Sequence, residues 1–159
     1  MKFRTGFGYD VHQLKEGESL ILGGIKIDHH KGTLAHSDGD VLLHAISDAL
    51  LGAANLKDIG THFPDTDDKY KNANSLKLLT LSYELVKKKG YRLGNLDATI
   101  ALQQPKLKPF IDQMCSAIAG ALNEPVDKIS VKATTAEKLG FVGKEEGIEA
   151  YTTVLIEAS

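Results

Sequence analysis

With 159 residues, 42% of them apolar, the chain can fill one core but not two, so a single domain over residues 1–159 is expected. Nineteen basic residues against 21 acidic leave a net charge of −2, which argues against nucleic-acid binding through a bulk positive field and against a polybasic membrane anchor. A lone cysteine, Cys115, leaves no intrachain disulfide and no CxxC metal knuckle. The apolar runs are too short for a signal-peptide core or a bilayer span, so the expected location is the cytoplasm.

Residues 3–12 alternate, with Phe3, Thr5, Phe7, Tyr9 and Val11 on one face and Arg4, Gly6, Gly8, Asp10 and His12 on the other, which predicts a strand. Residues 19–27, SLILGGIKI, predict a hairpin, because paired glycines supply the positive φ of a tight primed turn. Ser37-Asp-Gly-Asp40 has capping-box spacing and predicts a helix from there to about Asn55. Leu42, Ile46, Ala49, Leu50 and Ala53 make its apolar stripe, and Asp40, His44 and Asp48 a polar one.

Residues 56–73 are polar and turn-rich, the pattern of a long functional or mobile loop. A second helix is predicted over Ser75 to Lys89, with lysines in its last turn and Gly90 at C′. Leu96, Ala98, Ile100 and Leu102 mark a strand that Gln104-Pro105 ends. A third helix follows Pro109, with Phe110, Met114, Ile118 and Leu122 at four-residue spacing. Ile129, Val131 and Ala133 mark a strand, residues 134–147 a glycine-punctuated loop, and residues 148–157 the last strand. The order predicts an α+β two-layer domain with helices on one face of a mixed sheet. The other face would need a partner chain to cover it.

Five of the six histidines fall within the first 44 residues. Period two puts Asp10 and His12 on one side of a strand, with Cα atoms about 7 Å apart. With His44 they could hold three corners of a zinc tetrahedron and leave the fourth open for substrate. A solvated strand face carries the same residues for polarity alone, and spacing does not decide between the two. AHSDGD at a helix start offers free N–H groups to an anion beside His36 and Ser37, or simply an N-cap. Asp58-Ile59-Gly60 and Phe63-Pro64-Asp65-Thr66-Asp67 suit sugar hydroxyls, a cation or plain solvation. Thr134, Thr135, Glu137 and Lys138 after a strand end suit a phosphate with a bridging cation, or an ordinary polar loop. His29 and His30, read as strand neighbours, should face apart and bind no metal jointly. His62 reads as a loop residue and Cys115 as core.

Taken together, GYDVH (8–12), LAHSDGDVLLHAISDALLGAANLKDIGTHFPDTD (34–67), QQPKL (103–107) and VKATTAEKLGFVGKEEG (131–147) resemble the 2-C-methyl-D-erythritol 2,4-cyclodiphosphate synthase family, in register from about residue 4 to 157. The resemblance implies a homotrimer around a sheet-lined core, with active sites between subunits. It implies conversion of 4-diphosphocytidyl-2-C-methyl-D-erythritol 2-phosphate to the cyclic diphosphate and CMP, a phosphorus–oxygen lyase reaction of non-mevalonate isoprenoid synthesis. Asp10, His12 and His44 would then hold Zn2+, and Glu137 a second divalent ion, Mg2+ or Mn2+. His36 and Thr135 match the positions that stabilise the transition state. Asp58 and Gly60 match ribose contacts, with Ile59 between them, and Phe63, Pro64, Asp65, Thr66 and Asp67 lie near the erythritol. Leu102, Gln103, Gln104, Pro105, Lys106, Leu107 and Lys108 match the cytosine pocket. Val11, Ser37, Thr134, Ala136, Phe141 and Lys144 complete the implied substrate contacts.

Two positions depart from the family pattern. Ala136 stands where a third threonine is common, and Lys144 stands where arginine is usual. The second bears on an isoprenoid diphosphate in the central cavity, because lysine lacks the bidentate fork of arginine. Two rival readings accompany this one. A non-haem iron oxygenase uses the same donor set but sits in an all-β barrel. A non-catalytic cytidine-nucleotide-binding metal trimer would release no CMP.

Overall fold

A computed structural model describes residues 2–70 and 72–159. A five-stranded sheet carries the fold, in the order β4 (Lys31–Leu34), β1 (Phe3–Glu16), β7 (Gly147–Ala158), β5 (Tyr91–Ala101), β6 (Ile129–Thr134). All neighbours are antiparallel except β5 and β6, whose parallel pairing runs from Leu96 opposite Ile129 to Ala101 opposite Thr134. A parallel pair needs a crossover, and α4 (Ile111–Leu122) supplies it. A separate hairpin, β2 (Leu20–Leu22) and β3 (Ile25–Ile27), turns on Gly23 and Gly24, both at positive φ.

The helices α1 (Val41–Ala53), α3 (Ser75–Lys88) and α4 pack over one face of this sheet. Two one-turn helices, α2 (Ile59–His62) and α5 (Gly140–Gly143), sit in segments whose sequence reads as loop. The mixed sheet with helices on one side is the expected α+β class, and it leaves no all-β barrel for an oxygenase reading. No helix among the described residues is long and apolar enough to cross a membrane.

Three element readings need correction. Asp40, not Ser37, caps α1, accepting a hydrogen bond from Leu43 N at 3.1 Å. Ser37 accepts instead from Gly39 N at 3.2 Å, in a tight turn before the helix. Strand β4 has no alternating signature over its four residues, and its partner β1 runs four residues past the expected end to pair with it. Strand β5 starts at Tyr91, with a bulge between Leu93 and Asn95 that interrupts the alternation.

Helix α1 is the centre of the packing. Every residue in it is buried except His44, Asp48 and Gly52, the line that continues from Asp40 at four-residue spacing. Its backbone lies directly on β1, where Gly6 and Gly8 face it. A Cβ built on Gly8 would stand 1.9 Å from the Ala45 carbonyl oxygen, and one on Gly6 2.0 Å from that of Ala49. The two glycines therefore set the distance between strand and helix. On the opposite face of the sheet Phe3, Phe7, Tyr9, Val11 and Tyr151 remain exposed, Phe7 by 62%.

The glycine contact yields a paired expectation. Gly8→Ala must push backbone rather than a flexible side chain, so it should cost about 3 kcal/mol or more. Gly52→Ala, in the same helix with nothing within 4 Å of its Cβ position, should stabilise by about 0.5–1 kcal/mol. Urea unfolding of both variants checks the contrast. Equal effects would mean that the strand–helix approach is not limited by Gly8.

Candidate functional site

The close approach of β1 and α1 brings Asp10 and His12 on the strand beside His44 on the helix. Asp10 Oδ2 lies 3.0 Å from His44 Nδ1 and 3.2 Å from His12 Nε2, and the two imidazoles meet edge to face at 5.5 Å. One donor atom from each of the three residues falls within 4.8 Å of the others. His12 Nε2 is buried, and its contact with Asp10 falls outside hydrogen-bond geometry, a state that metal ligation resolves and that a merely solvated strand face would not produce. Two imidazoles and a carboxylate suit zinc or a similar borderline ion with one position open. Burial alone would lift the Asp10 pKa, but the close contact with His12, the hydrogen bond from His44 and the charge of both rings outweigh it and hold the carboxyl down at about 2. Burial likewise opposes charge on His44, and the bond to Asp10 reverses this and raises its pKa.

His44 is also held from behind. Its Nε2 lies 2.9 Å from Ser75 Oγ, and Ser75 donates in turn to Asp38, whose other oxygen takes the Ser75 backbone N–H at 2.8 Å. Because the Asp38 carboxylate can only accept, Ser75 spends its proton on it and must accept from His44. Nε2 therefore carries a proton, and Nδ1 donates to Asp10 while the ring is charged; loss of the Nδ1 proton frees the lone pair that a metal would take. Such outer-shell orientation is typical of metal-ligating histidines. The sequence reading missed both residues. Asp38 lay hidden in a capping-type run and Ser75 at a helix start 31 residues from His44, so only the packing of α3 against α1 joins them.

A cleft of about 300 Å3 opens over this cluster, lined by His12, His36, Ser37, His44, Ile59, Gly60, Phe63 and Asp65 among others. Asp48, one turn beyond His44, accepts from Ile59 N at 2.8 Å and fixes α2 at its rim. Asp58 caps α2, accepting from the Thr61 hydroxyl and backbone N–H at 2.7 and 2.9 Å, which lowers its pKa. Pro64, Thr66 and Asp67 continue the rim as a turn, closed by Asp67 N to Pro64 O at 3.0 Å.

The remaining candidates lie elsewhere. Leu102, Gln103, Pro105, Lys106, Leu107, Lys108, Thr134 and Thr135 line a second cleft of about 560 Å3, beside exposed Gln104 and its cis peptide bond to Pro105. Thr135 Oγ1 lies 3.2 Å from Glu137 Oε1, and Gln103 Oε1 accepts from Lys138 N at 3.2 Å, so the 135–138 turn is tied to this cleft. Ala136 is half-buried between them. Phe141 borders a crevice with Val11 and His12, and Lys144 is exposed at the end of α5. In the sheet order β6 stands three strands from β1, about 14 Å. One chain thus keeps the His36 side and the Thr135–Glu137 side of the expected site apart. Among the described residues Glu137 joins no group of metal donors.

Cys115 is half-buried against the core with its thiol pKa raised by burial, as expected of a packing residue. His62 bonds the Leu56 carbonyl at 2.7 Å. The expectation that His29 and His30 face apart is overturned. Both precede β4 rather than lying in it, and their rings approach to 4.4 Å.

Comparison with known proteins agrees with this geometry. The YgbB family model matches residues 3–157. The chain is 60% identical over 157 residues to the 2-C-methyl-D-erythritol 2,4-cyclodiphosphate synthase of Bacteroides thetaiotaomicron, covering 99% of each chain. It is 58% identical over 155 residues to the synthase of Bacillus velezensis, covering 98% of each. Among solved structures it is similar to the bifunctional IspDF from Campylobacter jejuni, with TM-score 0.95 and 47% identity, spanning 99% of this chain and 43% of that longer one. It is also similar to IspF of Plasmodium falciparum in a CDP complex, with TM-score 0.88 and 38% identity over 99% and 97% of the chains.

Two outcomes follow from the triad. In metal-stripped protein, the Asp10 contribution to stability is present above the ordinary carboxylate range and is lost as pH falls through about 2. The His44 contribution is full below about pH 6.5 and is lost as pH rises through its raised pKa. Asp10→Asn should therefore cost more stability at about pH 5 than at about pH 9 in denaturant titrations. Equal costs would mean that the pair carries no charge interaction. Separately, Ser75→Ala should leave the fold intact but weaken zinc binding by about 10- to 100-fold in competition with a chromophoric chelator. Unchanged affinity would remove the Ser75–Asp38 relay from the site.

Proposed function

The chain belongs to the YgbB family, and from that premise we propose that it converts 4-diphosphocytidyl-2-C-methyl-D-erythritol 2-phosphate to 2-C-methyl-D-erythritol 2,4-cyclodiphosphate and CMP, in isoprenoid precursor synthesis. An oxygen of the 2-phosphate attacks the β-phosphorus, the bond from that phosphorus to the bridging oxygen breaks, and CMP leaves with the electron pair. The observation that carries the reading is the Asp10–His12–His44 cluster, whose donor atoms converge and whose two histidines line a cleft.

Asp10, His12 and His44 would hold zinc, and Glu137, beside Thr135, a magnesium or manganese ion. Bound cations supply neutralisation of phosphate charge and polarisation of the phosphorus–oxygen bonds. The residues around them do the positioning, which is most of what phosphoryl transfer asks of a protein. His36 and Ser37, at the cleft mouth, donate to phosphate oxygens, and Thr135 offers a hydroxyl to the transferring phosphoryl group. Asp58 and Gly60 meet the ribose, the 63–67 turn closes over the erythritol and excludes water, and the 102–108 segment holds cytosine.

We further propose a single-domain subunit in a homotrimer. Two features support it. The exposed aromatic face of β1 and β7 needs a cover, and the two clefts stand at opposite edges of one sheet. A head-to-tail ring that closes joins the first cleft of one subunit to the second cleft of the next. Three copies of Lys144 would then meet near the axis, where an isoprenoid diphosphate would find positive charge but no guanidinium fork.

Incubation with the substrate should release CMP and a cyclic diphosphate in equal amounts. Nucleotide binding without CMP release would leave the non-catalytic alternative. His44→Ala and Thr135→Ala should each lower turnover by about a hundredfold or more while preserving the fold. Co-refolding the two inactive variants should restore part of the activity, because some interfaces then pair an intact first cleft with an intact second one. No recovery from verified mixed oligomers would sink the shared site.

A further inference from the structure

We propose a further metal site in this chain, apart from the triad and from Glu137, built from His29, His30 and Glu145, that takes a borderline divalent ion such as zinc. Donor atoms from these three residues fall within 4.8 Å of one another. They come from two separate segments: the turn before β4 and the turn between α5 and β7. Along β1, Glu16 at this end stands four residues beyond His12, about 13 Å, so the cluster is separate from the Asp10–His12–His44 group.

Two observations beyond proximity point to a ligand. First, His29 Nε2 is buried with no hydrogen-bond partner, the same unsatisfied state as His12 Nε2. Second, His30 is oriented by a carboxylate: its Nδ1 lies 2.8 and 2.9 Å from the two oxygens of Glu16. An ionised carboxylate only accepts, so Nδ1 carries the proton and the lone pair of the neutral ring is on Nε2. A carboxylate behind a histidine is the usual outer shell of a metal-ligating imidazole. The segments are also braced before any ion arrives. Lys31 Nζ donates to the Glu145 carbonyl at 3.0 Å, and Gly17 N donates to the His30 carbonyl at 3.0 Å.

Charge and donor type select the ligand. With neutral imidazoles, Glu16 and Glu145 against Lys31 leave a net charge of −1, which favours a cation over an anion. Two nitrogens and one carboxylate suit zinc, cobalt or nickel, and are a poor set for magnesium or calcium, which prefer oxygen. An ion here would clamp the turn before β7, which follows Phe141 and Lys144, onto the edge of the sheet.

Zinc alone tests the site. Equilibrium dialysis of the chelator-stripped full chain near neutral pH should find two equivalents per chain, and His44→Ala should retain one of them. A His29→Ala/His30→Ala double variant should also lose one equivalent while keeping the zinc bound at Asp10, His12 and His44. Glu145→Gln, which preserves shape, should weaken the second equivalent by about tenfold or more. Cobalt loading gives a readout independent of activity: visible absorption from the second equivalent should disappear in the double variant only. Stoichiometry or affinity unchanged by both sets of substitutions would overturn the proposal. So would a wild type that binds only one equivalent, abolished by His44→Ala.

Discussion

The contact on which the structure turns is that of the α1 backbone against Gly6 and Gly8 of β1. It sets an approach that any side chain would prevent, and it places a polar line of the helix against three other parts of the chain. Asp40 receives Gly23 N and Gly24 N of the hairpin at 3.0 and 2.7 Å. His44 meets Asp10 on the strand, and Asp48 takes Ile59 N from the loop that follows. One stripe at four-residue spacing thus organises the hairpin, the Asp10–His12–His44 cluster and the cleft rim. Its partners are remote in sequence, but its spacing is local.

That difference decides what can be read without coordinates. The strand over residues 3–12 and the helices from Ser75 and after Pro109 were legible because each has its own period. The triad was legible as a possibility, since Asp10 and His12 share a face and His44 lies off the apolar stripe of its helix. What spacing alone left open was whether the three meet, because that depends on the glycine contact. Ser75 and Asp38 were illegible for a different reason: each has an ordinary local role at a helix start or turn, which hides the tertiary one. The His29–His30 error came from extending a strand backwards through residues that form a turn. Period two applies only inside the ladder.

The split of the expected site between two sheet edges has a physical logic. A substrate carrying a nucleoside, a diphosphate and a phosphorylated polyol is long, whereas one face of a single small domain offers clefts of a few hundred cubic ångströms. Joining two such clefts across a subunit boundary extends the site without enlarging the core. In the proposed reaction it would also exclude water from the phosphates, where hydrolysis competes with ring closure. In the proposed trimer the same assembly would cover the exposed aromatic face, so one association event would serve both stability and chemistry. Each departure from the family pattern then falls on a surface that this assembly would shape. Ala136 withdraws one hydroxyl but leaves Thr134 and Thr135, and Lys144 keeps charge while giving up geometry.

Asp40 shows how far the chemistry depends on a residue that takes no part in it. It is fully buried, and burial lifts its pKa to about 6, against three backbone N–H donors that act to lower it. As a carboxylate at the first turn of α1 it also sits at the favourable end of the helix dipole. The balance is close because a buried charge is costly and three orphaned N–H groups would be costly as well, about 1–3 kcal/mol each. A neutral cap could satisfy the helix alone, as Ser, Thr or Asn does elsewhere. It could not also accept from both hairpin glycines with two oxygens. The acid is therefore required by the junction between hairpin and helix, and through that junction it fixes the start of α1, one turn before His44.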